Sequence, residues 1–221
     1  MENLGNNPNS LLYYNLLANV LFKNPNTGNN LYVNALEKGR INSILYSDPF
    51  LKAGFISKLV QDTNLEVLYL DLDLLYSGYV ASGILSTLEN VSLFQPNLET
   101  LDKALKEILV KASLSQTIIV VDSLNGLFNI LNRKKNLGMI VMSIIMLLAS
   151  IAKMTRSYLI VTSLVRFKKE EGWVLSPTGK RLIETKNAKK ILLEYGNESI
   201  IVNLVDDTKK YEIPANLIPL V

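Results

Sequence analysis

The sequence predicts an α/β fold, a mostly parallel β-sheet flanked by helices with an antiparallel β extension at the C-terminus. Three observations carry this expectation. Short apolar runs alternate with segments of helical period between residues 40 and 165. The runs are nearly continuous in apolar residues, as strands buried on both faces require. From about residue 186 the pattern changes to consecutive strand-like runs joined by Gly- or Asp-containing turns, and residues 186–215 are expected to form β-hairpins. The 221 residues, 48% hydrophobic and 19% charged, suffice for one core, and no linker or repeat divides them, so 1–221 reads as a single domain.

Taken in order, "SLLYYNLLANVLF" (10–22) has the spacing of an amphipathic helix, and "NPNTGNN" (24–30) is a turn-rich loop, so 1–30 is a helix and loop preceding the sheet. "RINSILYS" (40–47) reads as a strand and "LKAGFISKLVQ" (51–61) as a helix. "LEVLYLDLD" (65–73) is a doubly buried strand, on which Asp71 and Asp73 share a face. "YVASGILSTLE" (79–89) is a helix, "VSLFQP" (91–96) a short strand and "LETLDKALKEILVKA" (98–112) an amphipathic helix. "QTIIVVDS" (116–123) is a β-branched strand ending on an acid. "LGMIVMSIIMLLASIA" (137–152) is uncharged but short of the roughly 20 residues that span a bilayer, so a buried core helix is expected and no membrane association. "SYLIVTSLV" (157–165) is another buried strand. "KKILLEYG" (189–196), "ESIIVNLVDD" (198–207) and "KKYEIP" (209–214) close the chain as antiparallel strands.

Composition removes several chemistries. There is no cysteine and no histidine, which excludes disulfides, thiolate zinc, Cys nucleophiles and His-based proton transfer. A cysteine-free chain fits a reducing compartment, and "MENLGNNPNS" has no basic n-region, so a cytoplasmic location is expected. The net charge of +3 is too small to imply a nucleic-acid partner by itself. In folds of this class ligands bind at the carboxyl ends of the strands, here "YSDPFLKAG", "LDLDLLYSG", "VDSLNGLF" and "TSLVRFKKEEGW".

These elements in this order resemble the RecA-like ATPases, especially the archaeal RadA and KaiC-type branch, from about residue 26 to the C-terminus. "TIIVVDSLNGLF" resembles the Walker B strand, with Asp122 at the magnesium-linked carboxylate. "SYLIVTSLV" is similar to the next core strand, with Thr162 and Ser163 in polar, sensor-like positions. "LSPTGKRLIE" and the closing strands resemble the family's Pro-Gly turn and hairpins. On that frame "SDPFLKAG" occupies the phosphate-loop slot, GxxxxGK[ST]. Ser47 stands at the first glycine, Lys52 at the second, Ala53 at the lysine and Gly54 at the Ser/Thr. Every defining residue is replaced, and Pro49 removes a backbone donor that would wrap phosphate. The catalytic carboxylate falls on Asp73, shorter than the usual Glu. The resemblance therefore implies a pseudo-ATPase with no cofactor or metal, and leaves open residual ATP binding, as in a residual ATPase or a KaiC-like regulatory switch. Asp71 and Asp73 then read as solvent-facing or turn-capping acids and Asp122 as the cap of the following helix. Lys52 is left near enough to reach an anion after a register shift.

The family carries two axial loops that touch nucleic acid. The first position holds "NILNRKKNLG", with Arg133, Lys134 and Lys135. The second holds "VRFKKEEGWVLSPTGKR", with Arg166, Lys168, Lys169, Trp173, Lys180 and Arg181. Cations neutralise phosphates and an aromatic stacks on bases, so single-stranded DNA or RNA is an expected partner. The other expected partner is a RecA-family protein, a recombinase or paralog, or a second copy of the chain. The function implied is a non-catalytic accessory factor in homologous recombination and repair. The alternative is an ATPase-dead subunit of a ring such as an Elongator-like tRNA-modification complex.

Overall fold

The strands β1 (Ile41–Tyr46), β2 (Glu66–Asp71), β3 (Val91–Phe94), β4 (Thr117–Asp122) and β5 (Tyr158–Lys168) alternate with helices α1 (Pro49–Gln61), α2 (Leu75–Ala81), α3 (Leu101–Leu114), α4 (Leu124–Ile130) and α5 (Leu137–Met154). The chain then runs through β6 (Gly172–Leu175), β7 (Ala188–Tyr195), β8 (Ser199–Leu204) and β9 (Lys210–Pro214). The computed structural model describes residue 33 and residues 35–86, 88–170, 172–175, 188–197, 199–205 and 210–214. The helix expected over 10–22 lies outside the described residues.

The strands form one sheet in the order β3-β2-β4-β5-β1-β7-β8-β9, with β6 paired to β5. Six of them, β3 through β7 in that order, are parallel; β8 and β9 continue the sheet antiparallel, as the tail pattern predicts. The central strands are buried along their length because both faces are covered, and their near-continuous Val, Ile and Leu content follows from that. On one face α1 and α2 pack through Phe55, Ile56, Leu59 and Tyr76 onto Ile44, Val67, Tyr69, Val120 and Ile160. On the other, α3, α4 and α5 pack through Ile108, Leu127, Val141, Ile145 and Leu148 onto Leu68, Leu70, Ile119, Val121 and Leu159. The period-two division of each strand between two cores makes a one-residue slip costly, which fixes register.

Four elements differ from expectation. The helix expected at 79–89 runs from Leu75 to Ala81, and Gly83, at φ +73°, turns the chain out of it. A seven-residue helix, α4, precedes the apolar run. The stretch expected as a second loop is instead a hairpin, in which Val165–Lys168 pair with Gly172–Leu175. Helix α5 is not a buried core helix: a single stripe, Val141, Ile145, Leu148 and Ala152, is buried, while Met139, Met146, Leu147 and Met154 are exposed.

Candidate functional site

The parallel strands bring Tyr46, Asp71 and Asp122, each the last residue of its strand, to the level of Thr162 within β5. Asp71 is in register with Asp122, and Ile44 with Thr162. Thr162 follows Val161, which is in register with Val121, so it lies beside Asp122. All these positions face α1. This is where an α/β sheet places a ligand.

The junction between β1 and α1 is too short for a phosphate cradle. Only Ser47 and Asp48 separate Tyr46 from Pro49, the first residue of the helix. Asp48 is the N-cap. Its Oδ1 accepts from the amides of Phe50 at 2.7 Å and Leu51 at 3.3 Å, and its carbonyl accepts from Lys52 N at 3.2 Å. Pro49 has no N–H. Of the donors that a helix N-terminus would offer an anion, those of Phe50 and Leu51 are thus filled by the chain's own carboxylate and that of Pro49 is absent. Ser47 lies in the junction, and Lys52, Ala53 and Gly54 lie inside α1, buried against the sheet.

Lys52 reaches no external anion. Its Nζ donates to both oxygens of Asp122, at 2.6 and 2.8 Å, and both side chains are fully buried. Asp122 also accepts from Tyr69 Oη at 2.6 Å and from Thr162 Oγ1 at 2.6 Å. Each carboxylate oxygen therefore takes two donors, so both are saturated by this chain's own groups. Lys52 Nζ also lies 5.1 Å from the Tyr46 ring centroid, within cation–π range. Burial, with the Asp122 charge behind it, pushes the Tyr46 and Tyr69 hydroxyls well above their ordinary pKa. Both stay neutral, and Tyr69 acts as a donor.

Asp122 is therefore not the cap of the next helix. That role belongs to Ser123, whose Oγ accepts from Gly126 N at 3.1 Å and donates to Asp73. Gly126 is required there, because a Cβ would sit 2.5 Å from Asp73 Oδ1 and 2.8 Å from Leu72 Cβ. The Asp122–Ser123 peptide bond is cis. Asp73 lies beyond the end of β2 and is half-buried. Asp71 is fully buried rather than solvent-facing; its Oδ2 accepts from Ser77 N at 2.8 Å in the first turn of α2. Burial is the leading cause that raises its pKa above the ordinary 3.8. Among the described residues no group of His, Cys, Asp and Glu is arranged to hold a metal ion.

The basic candidates divide. Arg133, Lys134 and Lys135 are exposed in the turn between α4 and α5. Arg166 is exposed on β5 and Lys169 at the tip of the β5–β6 hairpin, while Lys168 and Trp173 are placed on its two strands. Lys180 and Arg181 lie outside the described residues. Sequence reasoning missed Tyr69 and Tyr46 as partners of the site. Tyr69 stands two residues before Asp71 on the same strand, a spacing that puts both on one face, and that signal was available.

No protein-family model matches this chain, and no curated protein matches it.

Proposed function

We propose that this chain is a RecA-like protein that neither binds nor hydrolyses nucleotide, and that it serves as an accessory factor in homologous recombination and repair, docking on a RecA-family partner and contacting single-stranded nucleic acid. The observation that carries the non-catalytic reading is the Lys52–Asp122 pair. A phosphate-loop lysine must face the β- and γ-phosphates and a Walker B carboxylate must face magnesium. Here Lys52, inside α1, and Asp122, the acid ending β4, neutralise each other in the core, behind an N-cap whose carboxylate takes the amides of Phe50 and Leu51. What supports a RecA-like ancestry is the agreement of element order, the position of Asp122 at the end of β4, and Thr162 at the equivalent level of β5.

The test is thermal unfolding with and without Mg-ATP. A nucleotide at a hundred times its Kd would add about 2.7 kcal/mol, a shift of several degrees. No shift is expected; a clear upward shift sinks the non-catalytic reading. Fluorescence anisotropy with single-stranded DNA and with tRNA then separates the two assemblies. Salt-sensitive binding that prefers single-stranded DNA supports the recombination role. Ring formation with tRNA preference would move the chain to a tRNA-modification assembly.

A further inference from the structure

Helix α5 presents an exposed apolar face that no element among the described residues covers. Met139, Ser143, Met146, Leu147, Ser150 and Met154 recur at helical spacing and are all exposed, opposite the stripe that seats on the sheet. The two hydroxyls do not make this stripe wet throughout: Ser150 Oγ donates to the Met146 carbonyl at 2.8 Å. By length and composition alone the helix is apolar enough to cross a membrane, with a mean hydropathy of 2.2 over 18 residues. Its buried stripe ties it to the sheet, so it is held on its side, with about 27 Å of apolar surface facing outward.

Charge selects what covers it. From Ser123 to Lys169 the chain has eight Lys and Arg residues and no carboxylate, although the remainder of the chain is net acidic. Arg133, Lys134 and Lys135 flank the N-terminal end of α5, and Lys153 and Arg156 its C-terminal end, all exposed. A second copy laid face to face would bring basic ends together in either orientation, which disfavours self-pairing. Nucleic acid would satisfy the cations and leave the Met and Leu stripe unburied. An anionic lipid surface supplies both needs at once, phosphates at the plane and hydrocarbon just beneath.

We propose that the outer face of α5, with its cationic ends, is a docking surface for an anionic membrane, the helix lying in the interfacial plane. This goes beyond the accessory role and does not depend on it.

The experiment is co-sedimentation of the full chain with vesicles of equimolar phosphatidylglycerol and phosphatidylcholine, and with phosphatidylcholine alone, in the absence of nucleic acid. Binding is expected to the anionic vesicles and to be at least about tenfold weaker to the neutral ones. Met146→Glu with Leu147→Glu should abolish binding and leave single-stranded DNA binding unchanged; Ser143→Glu, a milder change on the same stripe, should weaken it. Unchanged Tm for these surface variants shows that folding is intact. Arg133→Ala, Lys134→Ala and Lys135→Ala together should weaken anionic binding by on the order of a hundredfold. Failure to bind anionic vesicles overturns the proposal. So does binding that survives the Glu variants, which would be charge adsorption without the helix. A dimer dissolved by Met146→Glu would assign the face to a second copy instead and overturn it as well.

Discussion

Lys52 and Asp122 are seventy positions apart in sequence and 2.6 Å apart in space. Buried pairs of this kind hold their value only while both members are present, because removing one leaves an uncompensated charge in the core. Lys52→Met should therefore destabilise the chain by about 3–5 kcal/mol, read as a lower midpoint in urea unfolding. Lys52→Met combined with Asp122→Leu should recover most of that loss, since the replacement is apolar and of similar volume. An additive double mutant would show that the pair is not coupled. Asp71 gives a prediction of opposite sign. Its folded pKa lies above its unfolded value, so the ionised carboxylate opposes folding above that pKa, and the penalty fades as pH falls through it. Asp71→Asn keeps an oxygen for Ser77 N. It should be at least as stable as the wild type at pH 7 and lose its relative advantage in acid, as followed by Tm against pH.

At the level of the element, α1 explains why the β1 junction is closed. Asp48 completes the N-terminus, and Asp48→Ala should cost about 1 kcal/mol while still giving no nucleotide binding by calorimetry, because Lys52 remains turned toward Asp122. Nucleotide binding by this variant would show that the cap alone blocks the site. Placing Gly at Ser47 and Lys52 and Lys at Ala53 should likewise fail to give ATPase activity, since a two-residue junction cannot wrap a triphosphate and Pro49 still lacks its donor. Helix α4 is placed by a close approach: Gly126 lies against Leu72 and Asp73, so Gly126→Ala should loosen the Ser123–Asp73 link and lower Tm.

For the whole molecule, the modest charge of +3 conceals a strong polarity, a basic α4–α5–β5 region set against an acidic remainder. Charge placed this way governs encounter with polyanions more than fold. If the α4–α5 turn contacts single-stranded DNA, replacing Arg133, Lys134 and Lys135 with Ala should reduce the slope of log K against log salt by two to three, about one per lost cation. An unchanged slope would leave these residues as a solvated turn. The same sheet also spaces the polar groups of the site, since Asp71 and Thr162 flank Asp122 only because β4 lies between β2 and β5.

The sequence alone determined the alternation of buried strands and helices and the antiparallel close of the sheet. Each of these is written in local period or residue type. It also placed Arg133, Lys134 and Lys135 on an exposed turn, because a run of cations between two apolar segments has nowhere else to go. It misjudged α5, since hydropathy counts apolar residues and not the neighbours available to cover them; three layers leave only one stripe of that helix in contact. It misjudged Asp122, since an acid at a strand end resembles a helix cap until a lysine from a distant helix is seen to face it. Only the tertiary structure decided that Lys52, Tyr69, Asp122 and Thr162 form one saturated cluster. The reason is physical: desolvation makes an unpaired charge costly, and which partner relieves it depends on strand order and helix placement, neither of which is recorded in local pattern.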